Sequence, residues 1–146
     1  MLAHFLFPEK KQALQNSVED FKSSNNRSQW LEWNKKKVFL DAYNANPSSM
    51  KVAIKSYIEH IDKEGAVLIL GQMNELGSNS ESYHFEFGEY VSNFNVDIIY
   101  VGQFFEQFSK GLKRNAKHFN QVKDADWKIE LSKYENIFVK ASRSLQ

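Results

Sequence analysis

Apolar residues along the chain switch between an alternating spacing and a three-to-four-residue spacing, and each switch marks a new element. Residues 29–33 and 38–43 read as two short strands, with the polar stretch 34–37 as the turn between them. Helical spacing starts at Asn46 and Pro47: proline at the first helical position sacrifices no hydrogen bond, and the asparagine can accept from the orphan amides. Met50, Ile54, Tyr57, Ile58 and Ile61 then share one face. Gly65 ends this helix, and the unbroken apolar run 66–70 has the pattern of a strand covered on both faces, which predicts a parallel central sheet. Ser78 and Glu81 have capping-box spacing ahead of a stripe of Tyr83, Phe87, Tyr90, Val91 and Phe94. Further along, 96–101 reads as a strand, 103–110 as a short helix, 124–134 as another helix and 136–139 as a last strand. Upstream, Leu14, Val18 and Phe21 recur at helical spacing over 8–21, and the polar 22–27 reads as a linker. The alternation predicts an α/β fold: a three-layer, Rossmann-like domain whose mostly parallel sheet is flanked by helices and joined by right-handed crossovers.

A chain of 146 residues has room for one core. Cysteine is absent, which excludes disulfides, thiolate nucleophiles and Cys-ligated zinc, and fits a reducing cytoplasm best. Nineteen basic and eighteen acidic residues leave a net charge of +1, too little to hold a nucleic acid by counterion release. No apolar run approaches the roughly 20 residues of a membrane-spanning helix. Residues 1–7 are apolar, yet they lack a basic flank and run straight into Pro8, so they read as chain rather than leader. The sequence holds no P-loop, GxGxxG, GxSxG or HExxH pattern, so the chain has no triphosphate cradle of the P-loop kind.

In an open α/β sheet, ligands bind beyond the carboxyl ends of the strands, which directs attention to four loops, 41–47, 71–77, the segment from Gly102 onward and 140–143, three of which carry candidate chemistry. The first runs from Asp41 through Tyr43, Asn44 and Asn46 to Pro47; its carboxylate can accept from vicinal ribose hydroxyls, and the helix start favours an anion. An ordinary turn with an asparagine cap explains the same residues equally well. The second is bounded by Gly71 and Gly77 and contains Gln72, Met73, Asn74 and Glu75, the last able to orient an ammonium. The third carries Lys140, Ser142 and Arg143; arginine can grip a carboxylate or phosphate in bidentate fashion, and lysine adds a point charge. His84 stands alone, without a second histidine at metal spacing, and reads as structural before it reads as base or ligand. The lysines at 35–37 and the group Lys110, Lys113, Arg114 and Lys117 read as solvated surface.

Taken in order, the residues from Asn26 to Gln29, the block from Asp41 to Met50, the block from Gly71 to Gly77, His84 with Gly88, and the block from Val139 to Ser144 resemble the Mur ligases, in particular the C-terminal domain of the MurF branch. The resemblance covers about residues 26–146 and makes 1–26 the tail of a preceding ATPase domain or a linker, with 27–146 the C-terminal domain. It implies an ATP- and Mg2+-dependent amide ligase of peptidoglycan synthesis. In that family the carboxylate of UDP-N-acetylmuramoyl-tripeptide is activated as an acyl phosphate and attacked by the amine of D-alanyl-D-alanine. The P-loop belongs to another domain, so the fragment alone is expected to be inactive, and N-terminal and central domains are implied as partners. Carried over by position, Arg27 approaches the terminal phosphates and Asp41 the ATP ribose, with Tyr43, Asn44 and Asn46 shaping that loop. Gln72, Asn74, Glu75, Lys140, Ser142 and Arg143 border the amino component, and no residue is assigned as catalytic or metal-ligating. The chain departs from the family at Gln72, where aspartate is usual, and at Ala141, where glycine is usual; it also stops where the family continues into a helix, as an excised or truncated domain would. Two other readings stay open: a non-catalytic nucleotide- or peptide-binding module of the same descent, and a related ligase for another amino component.

Overall fold

The structure, a computed structural model, describes residues 28–142. The helix expected at 8–21, the linker at 22–27 and two candidate residues, Arg27 and Arg143, lie outside the described residues. Strands β1 (Gln29–Trp33), β2 (Lys36–Asp41), β3 (Ala66–Gly71), β4 (Asp97–Val101), β5 (Lys117–Phe119) and β6 (Asn136–Lys140) form one six-stranded sheet in the order β1-β2-β6-β3-β4-β5. Helices α1 (Pro47–Glu59), α2 (Ser80–Val91), α3 (Phe105–Leu112) and α4 (Trp127–Glu130) lie in the connections. Only the edge strand β1 is antiparallel to its neighbour; every other pairing is parallel, as the sequence pattern predicts. The register pairs Asp41 with Lys140, Leu70 with Lys140 and Gly71 with Val101. The carboxyl ends of β2, β6, β3 and β4 are therefore level, and the loops after them start from one line.

Local chemistry explains where the elements begin. Asn46 caps α1 through its side-chain oxygen, which accepts from the Ser49 amide at 2.9 Å, while Ser49 Oγ accepts from the Asn46 amide at 3.3 Å. The turn between β1 and β2 is tighter than the sequence suggests: Asn34 and Lys35 alone take positive φ, at 51° and 65°, as a two-residue hairpin of primed type requires. Lys36 and Lys37 are strand residues; Lys37 is exposed, and half-buried Lys36 donates through Nζ to the carbonyls of Ser132 and Tyr134. The capping box expected at Ser78 does not form. A 3-10 turn at Gly77–Asn79 runs into α2 instead, with Ser80 Oγ donating to the Gly77 carbonyl at 2.9 Å.

The helix expected over 124–134 shortens to a turn at Val122–Asp124 and the four-residue α4. Two aspartates cause this: Asp124 accepts from the Gln121 amide, and Asp126 accepts from the Lys128 and Ile129 amides, so each side chain starts a separate short element. The helix expected at 103–110 is displaced to α3, and β5 has no counterpart in the hydrophobic pattern because three residues are too few to set a period. Of the four cations assigned to solvent, Lys110, Lys113 and Lys117 are exposed and pair at the surface with Glu106, Glu89 and Glu130, and Arg114 alone turns inward. Arg114 donates to the carbonyls of Phe94 and Val96, each at 2.8 Å.

Helices α1, α2 and α3 cover one face of the sheet, where Met50, Tyr57, Phe87, Tyr100, Phe108 and Phe138 meet in the larger core. Helices α2 and α3 touch backbone to backbone: a Cβ on Gly88 would lie 2.1 Å from the Phe108 carbonyl oxygen, and one on Gly111 2.0 Å from that of Phe85. The other face carries a smaller cluster around Ile69, Ile99, Val101, Leu131 and Ile137. Beside it lies an apolar groove of about 630 Å³. Among the described residues no helix is long and apolar enough to cross a membrane.

Candidate functional site

The loops after β2, β3 and β6 meet at the carboxyl edge of the sheet. Strand alternation decides what they present. Asp41, Lys140 and Ser142 project with Phe39 and Phe138 toward the helix-covered side, whereas Ala42, Val139 and Ala141 line the groove on the opposite face. Lys140 is 2% exposed, and its ammonium donates to Asp41 Oδ2 at 2.6 Å and to the Asn44 carbonyl at 3.0 Å. A buried ammonium is stable only when paired in this way. Two residues that the sequence assigns to different subsites are thus one ion pair, which fastens the Asp41 loop to the end of β6. The carboxylate keeps accepting capacity beyond its bond to Lys140. Asn46 is committed to the start of α1, taking Ser48 Oγ and the Ser49 amide, so its part is to shape the loop. Tyr43 is half-buried and Asn44 exposed beside it.

The loop at 71–77 is held by a hydrogen-bond circuit. Gln72 Oε1 accepts from the Gln103 amide at 2.6 Å; Gln72 Nε2 donates to Asn74 Oδ1 at 2.8 Å; Asn74 Nδ2 donates to Ser142 Oγ at 2.8 Å; and Ser142 Oγ donates to the Gln72 carbonyl at 3.2 Å. Ser142 therefore does for the second loop what Lys140 does for the first. Gly102 makes room for it: at φ 112° and with a hypothetical Cβ only 2.5 Å from Gln72 Oε1, this position admits glycine alone. The loop from Gly102 onward is among the strand-end segments to which the sequence points, but the bond from the Gln103 amide to Gln72 is not foreseen there, because the two residues are 31 positions apart. Glu75 is exposed at φ 62° and leads the loop outward.

His84 lies beneath this loop and is fully buried. Its Nε2 accepts from the Met73 amide at 3.0 Å, and its Nδ1 lies 2.6 Å from the Ser80 carbonyl, to which it must donate. Burial pushes the imidazole pKa below its ordinary value, and the bond to the Ser80 carbonyl opposes that shift. Both ring nitrogens are occupied, so the histidine is neither a metal ligand nor an accessible base in this state.

A family model described as Mur ligase, glutamate ligase domain, matches residues 26–141. The chain belongs to the Mur ligase family. The UDP-N-acetylmuramoyl-tripeptide--D-alanyl-D-alanine ligase of Buchnera aphidicola subsp. Baizongia pistaciae is 36% identical over 124 residues, covering 82% of this chain and 26% of that protein. The ligase of the same name from Bacillus subtilis is 34% identical over 118 residues, covering 75% of this chain and 26% of its own length. The Mur ligase fold is matched in MurF from Acinetobacter baumannii, with a TM-score of 0.79, 23% identity and coverage of 93% of this chain and 31% of that one. MurF ligase from Thermotoga maritima, solved in complex with ADP, gives a TM-score of 0.65 at 20% identity, over 92% of this chain and 33% of that one. This Mur ligase domain spans between about a fifth and a third of the length of the relatives it matches.

Proposed function

We propose that this Mur ligase domain is the C-terminal part of a cytoplasmic, ATP-dependent ligase that joins D-alanyl-D-alanine to UDP-N-acetylmuramoyl-tripeptide in peptidoglycan synthesis. The observation that supports this most is the meeting of two ligand-facing loops on one strand end, through Asp41 with Lys140 and Asn74 with Ser142. The reaction has two stages, activation of a carboxylate by ATP and displacement of the phosphate by an amine, and both depend on positioning and charge stabilisation. The domain's part is to bring a nucleotide loop and an amino-component loop to the reacting groups as one unit. Asp41 accepts from the ribose hydroxyls, Tyr43, Asn44 and Asn46 shape that loop, and Arg27 approaches the terminal phosphates. Gln72, Asn74, Glu75, Lys140, Ser142 and Arg143 border the dipeptide, with Arg143 suited to its carboxylate. Among the described residues no three acidic or histidine side chains converge on a metal position. In this reading Mg2+ accompanies the ATP phosphates and is held mainly by domains beyond this chain, with residues 1–26 as the tail of a preceding ATPase domain or a linker to it.

Phosphate release by the intact ligase carrying this domain, measured with UDP-linked tripeptide and ATP, tests the reading. Release that depends on D-alanyl-D-alanine, with the 146-residue chain silent as control, is the expected result; a well-folded intact ligase that releases none overturns it. Asp41→Asn, which keeps an acceptor for Lys140, should raise the KM for ATP about tenfold, equivalent to ~1.4 kcal/mol of lost binding. The neutral Gln72 amide, where the family usually has aspartate, favours a second reading in which a different amine is the incoming component. A panel of amino acids and dipeptides decides between them by which one stimulates phosphate release.

A further inference from the structure

The backbone of the 71–77 loop is anchored residue by residue to different elements. The Gln72 amide donates to the Val101 carbonyl of β4 at 3.0 Å, the Met73 amide to His84 Nε2 of α2 at 3.0 Å, and the Asn74 side chain to Ser142 beyond β6 at 2.8 Å. Of these anchors, the one at Met73 depends on a single side chain in a single protonation state. A backbone amide can only donate, so Nε2 must carry the lone pair; Nδ1 then carries the proton and gives it to the Ser80 carbonyl, one turn back on the same helix. The ring is also clamped sideways, stacked on Phe104 with centroids 4.7 Å apart and planes 17° apart. Phe104 itself sits at φ 63°, in the loop that supplies the Gln103 amide to Gln72. One imidazole therefore touches both loops that flank the amino-component side of the site, from below, without reaching solvent.

We infer that His84 is a positioning residue for the amino component: by accepting from the Met73 amide it fixes the stretch from Gln72 to Glu75 in the conformation that receives the incoming amine. The inference rests on the ligase reading for its kinetic arm only. A buried amide left without an acceptor costs about 1–3 kcal/mol, enough to let the loop populate other conformations. The cost falls on the amino-component loop, because the Asp41 loop is held separately through Lys140.

Two substitutions separate the hydrogen bond from the packing. His84→Phe keeps a ring against Phe104 but removes the acceptor, and His84→Gln keeps an acceptor but removes the ring. In the 146-residue chain, His84→Phe should speed hydrogen exchange of the Met73 amide about tenfold or more, while amides in the middle of β3 remain as protected as before. In the intact ligase, the same variant should raise the KM for the amino component about tenfold, with kcat and the KM for ATP within about twofold, and His84→Gln should recover most of the loss. Unchanged Met73 exchange in His84→Phe overturns the anchor. Faster exchange with an unmoved KM for the amino component, or with all kinetic constants shifted together, overturns the positioning role. A wild-type ligase without amine-dependent turnover is a failure of the ligase reading instead, and the exchange result still decides whether His84 holds the loop.

Discussion

The two faces of the sheet are built from the same strands and covered very differently. One supports α1, α2 and α3, and residues projecting to it, such as Leu68, Tyr100 and Phe138, are fully buried. The other supports α4, four residues long, and leaves an apolar groove beside Ile69, Val101 and Ile137. Lys140 and Ser142, which tie the candidate-site loops to the end of β6, project toward the helix-covered side. The opposite face contributes methyl groups at the same strand ends, Ala141 among them. The extra methyl relative to the glycine usual in the family therefore points away from the two candidate-site loops, so steric interference with them is not where its effect should be sought. The rigid core and the hydrogen-bond circuit of the candidate site are on the same side because such a circuit keeps its geometry only when the backbone beneath it is fixed by packing.

Adjacent residues of β6 provide the sharpest test of the contrast. Phe138→Ala removes a ring packed between Phe39 and Tyr57, at centroid distances of 5.7 and 5.0 Å, and should cost about 4 kcal/mol in urea denaturation. Val139→Ala, one residue on and half-buried at the groove, should cost about 1 kcal/mol; equal losses would show that the groove face is as tightly packed as the other. Next in size, Gly111→Ala forces α3 away from the Phe85 carbonyl and should cost about 3 kcal/mol, since backbone cannot yield as a flexible side chain can. A neutral result would mean that the two helices are free to separate.

The smallest effect is a pH dependence specific to the covered face. The unfolded His84 takes up a proton near its ordinary value of 6.5, while the buried ring, with its pKa lowered, resists until the pH is lower. Between those two points the unfolded state binds more protons, so stability rises with pH across the window and is fully present above the unfolded value. Denaturation midpoints should fall as pH drops below about 6.5, and His84→Phe should flatten that part of the profile. A slope that survives the substitution assigns the effect to another group.

What was legible in the sequence was local. Asn46 and Pro47 announce the start of α1 because cap and capped amides lie within a few residues, and the run at 66–70 announces a central strand because five consecutive apolar side chains need cover on both sides. The Mur ligase blocks were readable in order, and the loops they mark do converge. The pairing of Asp41 with Lys140 was hidden, because the partners are 99 positions apart and only the β2–β6 register brings them level. The break at Asp126 was hidden for the opposite reason: a short side-chain cap interrupts a spacing that otherwise continues as a helix. Gln72 was read through its charge, whereas its work in the fold is to span from the Gln103 amide to Asn74.

The alternation at the end of β6 carries a consequence for which kinds of mutation this domain can absorb. Lys140 and Ser142 reach the loops while Val139 and Ala141 face the groove, and consecutive side chains exchange sides with each residue. A deletion or insertion of one residue before Lys140 would aim its ammonium into an apolar trough and present a methyl to Asp41. Substitutions here change one contact at a time, but a change in length inverts them all. Lineages should therefore vary in composition at 139–142 far more readily than in spacing.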